Sequence, residues 1–295
     1  MGCHEFLCRG ARVRVCNGKI EVLTEPAVEC CPYVEAVYKV KWINKCAVEE
    51  IVKFKMEKYG FCTPRRCFCD KLVVPFGSSE IISVCMHEGL IDCAVTVCEG
   101  AGTVISWNPS LVQGIGARLN GIIKTSPIKE VIKYIEENGG KVLDKNTAVI
   151  DQVKGIIEAI SMGFKKIAVT IIGLNASAIS EIRDVESKYG GVKIAVFSTC
   201  NTLVEGSDVE HLKKADIVCA SASKIVREKI GSHALMQLGI SIPVFILTKL
   251  GKKLALTYLS NVDVPLVVSR AKLPYIVEEK QPKLKVQHPW SSTYR

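Results

Sequence analysis

Residues 166–199, KIAVTIIGLNASAISEIRDVESKYGGVKIAVFST, carry the pattern that decides the fold. Lys166 to Ile172 is a β-branched run of the length a strand buried on both faces requires. Ser177 to Tyr189 then spaces Ile179, Ile182 and Val185 along one helical stripe, and Val192 to Phe197 is a second buried strand. A strand, a helix and a strand in a unit of about thirty residues builds a parallel sheet, because parallel neighbours need a crossover connection.

The alternation extends in both directions. Asp151 to Met162 reads as a helix, Val209 to Ala215 as a helix, Asp216 to Cys219 as a strand and Ser223 to Leu238 as a helix. Pro243 to Leu247 and Lys249 to Leu259 add a strand and a helix. Upstream, Leu72 to Pro75 reads as a short strand, Gly77-Ser78-Ser79-Glu80 as a turn and cap opening a helix over 80–88, and Ile91 to Val97 as a buried strand. Pro127 starts a helix that Gly139-Gly140 ends, residues 47–59 form another, and Asn17-Gly18 turns a small β-hairpin over residues 11–24. The expected class is α/β, with two α/β domains. Residues 1–145 form a cysteine-rich domain with glycine-rich loops. Residues 146–279 form a doubly wound, Rossmann-like, mainly parallel sheet, and 280–295 a basic tail.

Composition limits the function classes. With 48% hydrophobic residues among 295, the chain has material for a substantial core, and no apolar run approaches the roughly 18 residues of a membrane span. A soluble, cytoplasmic protein is expected. The net charge is +9, yet residues 71–268 hold 21 basic against 19 acidic side chains, so the excess lies at the ends and argues against nucleic-acid binding. Twelve of fourteen cysteines fall within the first 98 residues. Without a secretory leader a disulfide framework explains them poorly. Two readings remain: tolerance of thiols in a reducing cytosol, or an iron–sulfur or other metal site using Cys62, Cys67 and Cys69 with Cys46 or Cys30.

The candidate chemistry gathers where strands end. Cys98-Glu99-Gly100-Ala101-Gly102-Thr103 opens from a strand into small residues, where Gly100 and Gly102 would let backbone N–H groups approach an anion and Thr103 would donate a hydroxyl. Gln113, Gly114, Gly116 and Arg118 follow, Arg118 being the bidentate partner for a phosphate or carboxylate. Gly77, Ser78, Ser79, Glu99 and Ser126 complete the expected binding set. Ser198-Thr199-Cys200 and Cys219-Ala220-Ser221 follow short strands and belong at the carboxyl edge of the sheet. A Cys219 thiol beside a helix start and Lys224 would have a depressed pKa suited to a nucleophile, as an alternative to simple N-capping by Ser221 or Ser223.

Several blocks resemble the archaeal methanogenesis marker protein 8 family: Phe76-Gly77-Ser78-Ser79-Glu80-Ile81, Val97-Cys98-Glu99-Gly100-Ala101-Gly102-Thr103, Leu111-Val112-Gln113-Gly114-Ile115-Gly116 and Thr125-Ser126-Pro127-Ile128. The likeness runs in register from about residue 11 to 259 and includes Cys31, Cys98 and Cys219, but not Cys62, Cys67 or Cys69. It implies a cytosolic archaeal protein linked to methanogenesis by occurrence. Residues 76–97 also resemble the amino-terminal domain of deazaflavin-reducing hydrogenase β subunits. The functional expectation is an accessory or biosynthetic factor that binds an anionic small molecule, or a methanogenesis enzyme as partner, through the 98–118 loops, with Cys98 and Cys219 as the chemical residues. A redox or sulfur-handling enzyme carrying an iron–sulfur cluster or a deazaflavin, and a non-enzymatic assembly factor, are the alternatives.

Overall fold

The computed structural model describes residues 2–117, 121–263 and 265–285. In chain order the elements are β1 (Cys3–Cys8), β2 (Ala11–Cys16), β3 (Lys19–Val22), β4 (Val28–Cys30), α1 (Pro32–Tyr38), α2 (Lys45–Tyr59) and α3 (Ser78–His87). Next come β5 (Cys93–Cys98), β6 (Gly102–Ser106), α4 (Pro109–Gly116), β7 (Gly121–Lys124), α5 (Lys129–Glu137), β8 (Gly140–Val142), α6 (Gln152–Ser161), β9 (Lys166–Ile172) and α7 (Ala178–Lys188). The last are β10 (Lys193–Thr199), α8 (Val209–Leu212), β11 (Ile217–Cys219), β12 (Met236–Leu238), β13 (Val244–Ile246), α9 (Lys249–Ser260) and β14 (Lys283–Leu284).

The α/β class stands. An eight-stranded sheet runs β12-β13-β11-β10-β9-β5-β6-β8, parallel across its four central strands β11, β10, β9 and β5 and antiparallel at both edges. The seven-residue register of β9 with β10, from Lys166↔Lys193 to Ile172↔Thr199, is its longest parallel seam. One face is covered by α6, α7 and α8 through Ile156, Ile179, Ile182 and Leu212, the other by α3, α4 and α9 through Ile81, Ile82, Val112 and Leu254. The sheet takes strands from both sides of Asn146.

The expected hairpin forms, with Asn17 and Gly18 both at positive φ, but it belongs to a four-stranded antiparallel sheet, β3-β2-β1-β7. Its core, including Phe6, Val13, Val48, Ile51 and Phe61, also contains Val97 from the end of β5 and Ala222 from beyond β11. The N-terminal layer is therefore seated on the carboxyl edge of the large sheet.

Two local expectations fail. Leu72 to Pro75 makes no strand, because the Val73 and Val74 N–H groups donate to the Glu80 carboxylate at 3.3 and 3.0 Å and Pro75 has none to give. Residues 223–238 are not one helix: a π turn over Val226–Ile230 and a 3-10 turn over Gly231–His233 lead into β12, antiparallel to β13. Gly231 sits where a Cβ would lie 2.8 Å from both the Phe245 and Pro274 side chains, so close packing fixes the backbone there and helical periodicity does not. Cys3 and Cys16, paired across β1 and β2, form a disulfide, and the other twelve cysteines are free.

Candidate functional site

Four parallel strands bring their carboxyl ends together, which is where open α/β sheets place ligands. Cys200 follows β10 and Ser221 follows β11, both with left-handed backbone at φ 52° and 51°. Neither residue adopts that conformation freely, and each costs about 1–3 kcal/mol. Asn201 holds both in place. Its Nδ2 donates to the Cys219 carbonyl at 2.8 Å, its N–H donates to Ser221 Oγ at 3.0 Å, and its Oδ1 accepts from Ser198 Oγ at 2.9 Å.

Above these strand ends the N-terminal layer borders a partly open cavity of about 680 Å³, the size of a small-molecule site. Its floor is Thr96, Thr170, Ile172, Thr199, Cys200 and Cys219. The start of α3, with Phe76, Gly77, Ser78, Ser79 and Glu80, lines it, as do Arg9, Tyr33, Tyr38 and Lys55 of the N-terminal layer.

The charges on those walls differ in their commitments. The Glu80 carboxylate is engaged by the Val73 and Val74 N–H groups, by Ser79 Oγ at 2.8 Å and by Gln113 Nε2 at 3.1 Å, so it is a structural acceptor. Arg9 stands at the tight turn between β1 and β2, with φ 54° and Gly10 at 77° beside it. Its guanidinium lies over the Tyr33 and Tyr38 rings at 5.6 and 5.9 Å, while its Nε is buried without a hydrogen-bond partner among the described residues. Burial pushes the Tyr38 phenol up to about 12 despite the nearby Arg9 cation. Lys55 is 5% exposed, and burial brings its ammonium down to about 8, with Arg9 pushing the same way and Cys8, Cys200 and Glu99 opposing.

Of the expected site residues, Gly77, Ser78, Ser79, Gly116 and Cys219 line the cavity. The glycine loop serves packing within the protein. The Gly100 N–H donates to Thr125 Oγ1 at 2.7 Å, the Thr103 N–H donates to the Val149 carbonyl at 2.8 Å, and a Cβ on Gly102 would collide with the Ala148 carbonyl oxygen. Thr103 Oγ1 accepts from the Asp151 N–H, and Ser126 Oγ bonds the Cys3 backbone. Glu99 is fully buried in an ion pair with Arg66, which also donates to the Gly114 and Ile115 carbonyls at 3.2 Å each. Gln113 bonds Glu80 and the Lys71 carbonyl. Arg118 lies outside the described residues.

The thiols depart from expectation. Burial, with the Glu99 charge adding to it, holds Cys98 well above the ordinary thiol range, and it has no exposed surface. Burial raises Cys219 rather than depressing it; Lys224 is turned away, 3.6 Å from Glu228 on the exposed surface. Cys200 is pushed up to about 11, again by burial first. Among the described residues no group of three or more His, Cys, Asp or Glu side chains is arranged to hold a metal ion. No described helix is long and apolar enough to cross a membrane.

Arg9, Lys55, Tyr33 and Tyr38 were not foreseen from sequence. The usable signal for Arg9 is Arg9-Gly10 between two runs of alternating apolar residues, a hairpin turn one strand before Asn17-Gly18.

Residues 5–260 match a family described as "Uncharacterized protein conserved in archaea (DUF2099)". A protein of Methanocaldococcus jannaschii, "Uncharacterized protein MJ0054", is 40% identical over 275 residues, which span 92% of this chain and 95% of that protein. A chain of the F420-reducing [NiFe] hydrogenase complex from Methanosarcina barkeri superposes with a TM-score of 0.33 and 13% identity, over 62% of this chain and 72% of that one. That likeness is too slight to bear on function.

Proposed function

For a chain that belongs to the archaeal family DUF2099, we propose that the cavity at the carboxyl edge of the sheet binds an anionic small molecule. The observation that carries this reading is Arg9. Its guanidinium is held over the Tyr33 and Tyr38 rings and the residue lines a space of about 680 Å³, so a carboxylate or phosphate is the group that matches this planar cation. Lys55 supplies a second cation, and the Ser78, Thr199 and Ser221 hydroxyls line the same space as orienting donors. The Tyr33 and Tyr38 rings beside Arg9 cover one side of the guanidinium, which strengthens charge pairing there. This moves the expected anion site from the 98–118 loops to the cavity. A role for that binding in methanogenesis, as an accessory or biosynthetic protein, is supported by the family resemblance in the sequence.

The test is anaerobic purification followed by mass spectrometry of released small molecules, with thermal-shift measurements against orthophosphate, pyrophosphate, citrate and adenosine monophosphate. A retained anion, or stabilisation that Arg9→Asn abolishes, supports the reading. A protein that releases nothing and is stabilised by none of these anions refutes it.

A further inference from the structure

Away from the cavity, α7 and the turn after α8 bring three side chains into one chain of hydrogen bonds. Ser180 stands in the first turn of α7, where a serine hydroxyl ordinarily bonds the backbone of its own helix. Its Oγ instead lies 2.7 Å from His211 Nδ1, and the Lys214 ammonium donates to it at 3.0 Å. An ammonium only donates, so Ser180 Oγ accepts from Lys214, and His211 Nδ1 is the acceptor that the described residues offer to the serine hydroxyl. The arrangement that satisfies all three groups has a neutral imidazole protonated at Nε2. The frame around them is fixed. Arg183, one turn along α7, donates through Nε to the Lys214 carbonyl at 2.9 Å and pairs with the buried Asp216 carboxylate at 2.7 Å. Ile179 and Leu212, the chain neighbours of Ser180 and His211, are buried in one core cluster. Ser180 and His211 are half-buried and Lys214 is exposed, which places the trio at the surface.

We infer that Ser180 is an activated nucleophile that takes an acyl group from a small activated ester or thioester, with His211 as its base and the Lys214 ammonium stabilising the alkoxide character that Oγ acquires as it attacks. A nucleophile and a base within hydrogen-bond reach are the minimal arrangement for this chemistry. The Oγ lone pair attacks the acyl carbonyl carbon while the hydroxyl proton passes to Nδ1. The tetrahedral intermediate then expels the alcohol or thiol, which takes that proton from His211 as it leaves, and an O-acyl serine remains. No oxidant or reductant takes part. None of the three residues lines the cavity, so this inference is independent of the anion-binding reading.

The probes are p-nitrophenyl acetate and diisopropyl fluorophosphate, whose phosphoryl adduct cannot migrate to Lys214, each applied to the whole protein and read by peptide mass spectrometry. Ser187, exposed on the same helix, is the internal comparison. The expected result is an adduct at Ser180 forming at least tenfold faster than at Ser187 with both reagents. His211→Asn keeps a hydrogen-bonding amide near the position of Nδ1 but supplies no base, and it is expected to slow labelling of Ser180 at least tenfold while circular dichroism remains that of the folded protein. Ser180→Ala removes the adduct. Ser180 labelled no faster than Ser187 in the wild type, a comparison that needs no variant to fold, overturns the inference. Labelling of Ser180 undiminished in folded His211→Asn overturns it as well.

Discussion

The Arg9 guanidinium carbon lies 5.6 Å from the centre of the Tyr33 ring, held at the cavity wall by aromatic faces. A guanidinium oriented in this way is a planar donor fork of the kind that pairs with a carboxylate or phosphate.

The Arg66–Glu99 pair is the most deeply buried ion pair described, with side chains 3% and 0% exposed, and it ties the Phe61–Asp70 loop to the end of β5 and to α4. Arg66→Met is expected to lower the unfolding free energy by about 3–5 kcal/mol, because it leaves a buried carboxylate uncompensated. Urea denaturation measures this. The double variant Arg66→Met, Glu99→Gln recovers a large part of the loss.

His4 is buried, and Thr125 Oγ1, which accepts the Gly100 N–H, lies 2.6 Å from its Nδ1. Burial first, and the chain's amino terminus second, bring its pKa down to about 4. The unfolded chain therefore binds a proton that the folded one refuses as pH falls through about 6.5 towards 4, and stability falls with it. Between pH 7 and 5 the loss attributable to His4 is about 2 kcal/mol. Denaturation curves of the wild type and His4→Gln, compared at both pH values, report it as a shallower pH dependence in the variant.

Gly102 separates a turn from a binding loop. Its φ is +71° and an added Cβ would press on the Ala148 carbonyl, so Gly102→Ala is expected to cost about 1–3 kcal/mol in thermal unfolding. Affinity for any anion the wild type binds should stay within about twofold, since the residue does not line the cavity. A loss of affinity in the folded variant would return the site to the glycine loop.

The parallel core was legible because burial on both faces forces continuous apolar strands: Lys166–Ile172 appears as expected, and Lys193–Thr199 differs from its expectation by one residue at the start and two at the end. The direction of Val244–Ile246 was not, because a strand's orientation is set by its connection; there β12 and a tight turn replace a crossover helix. The glycines at 100 and 102 do mark a special backbone, but sequence cannot distinguish a loop that accommodates an anion from one that accommodates Ala148 and Ile128. Lys55 was invisible for a related reason. It stands among Lys53, Glu57 and Lys58, and only the layer folded over α2 from elsewhere in the chain buries it.

The most direct measurement of the central claim is calorimetric titration of wild type and Arg9→Asn with whichever of orthophosphate, pyrophosphate, citrate or adenosine monophosphate gives the largest thermal shift. Asparagine tolerates the left-handed turn that Arg9 occupies, so the variant should keep its melting temperature while losing the guanidinium. The account predicts affinity weaker by roughly ten- to a hundredfold, the cost of one charge-assisted hydrogen-bonded contact of about 1.5–3 kcal/mol. Equal affinity in the two folded proteins, or no binding of any of the four anions to the wild type, would contradict it.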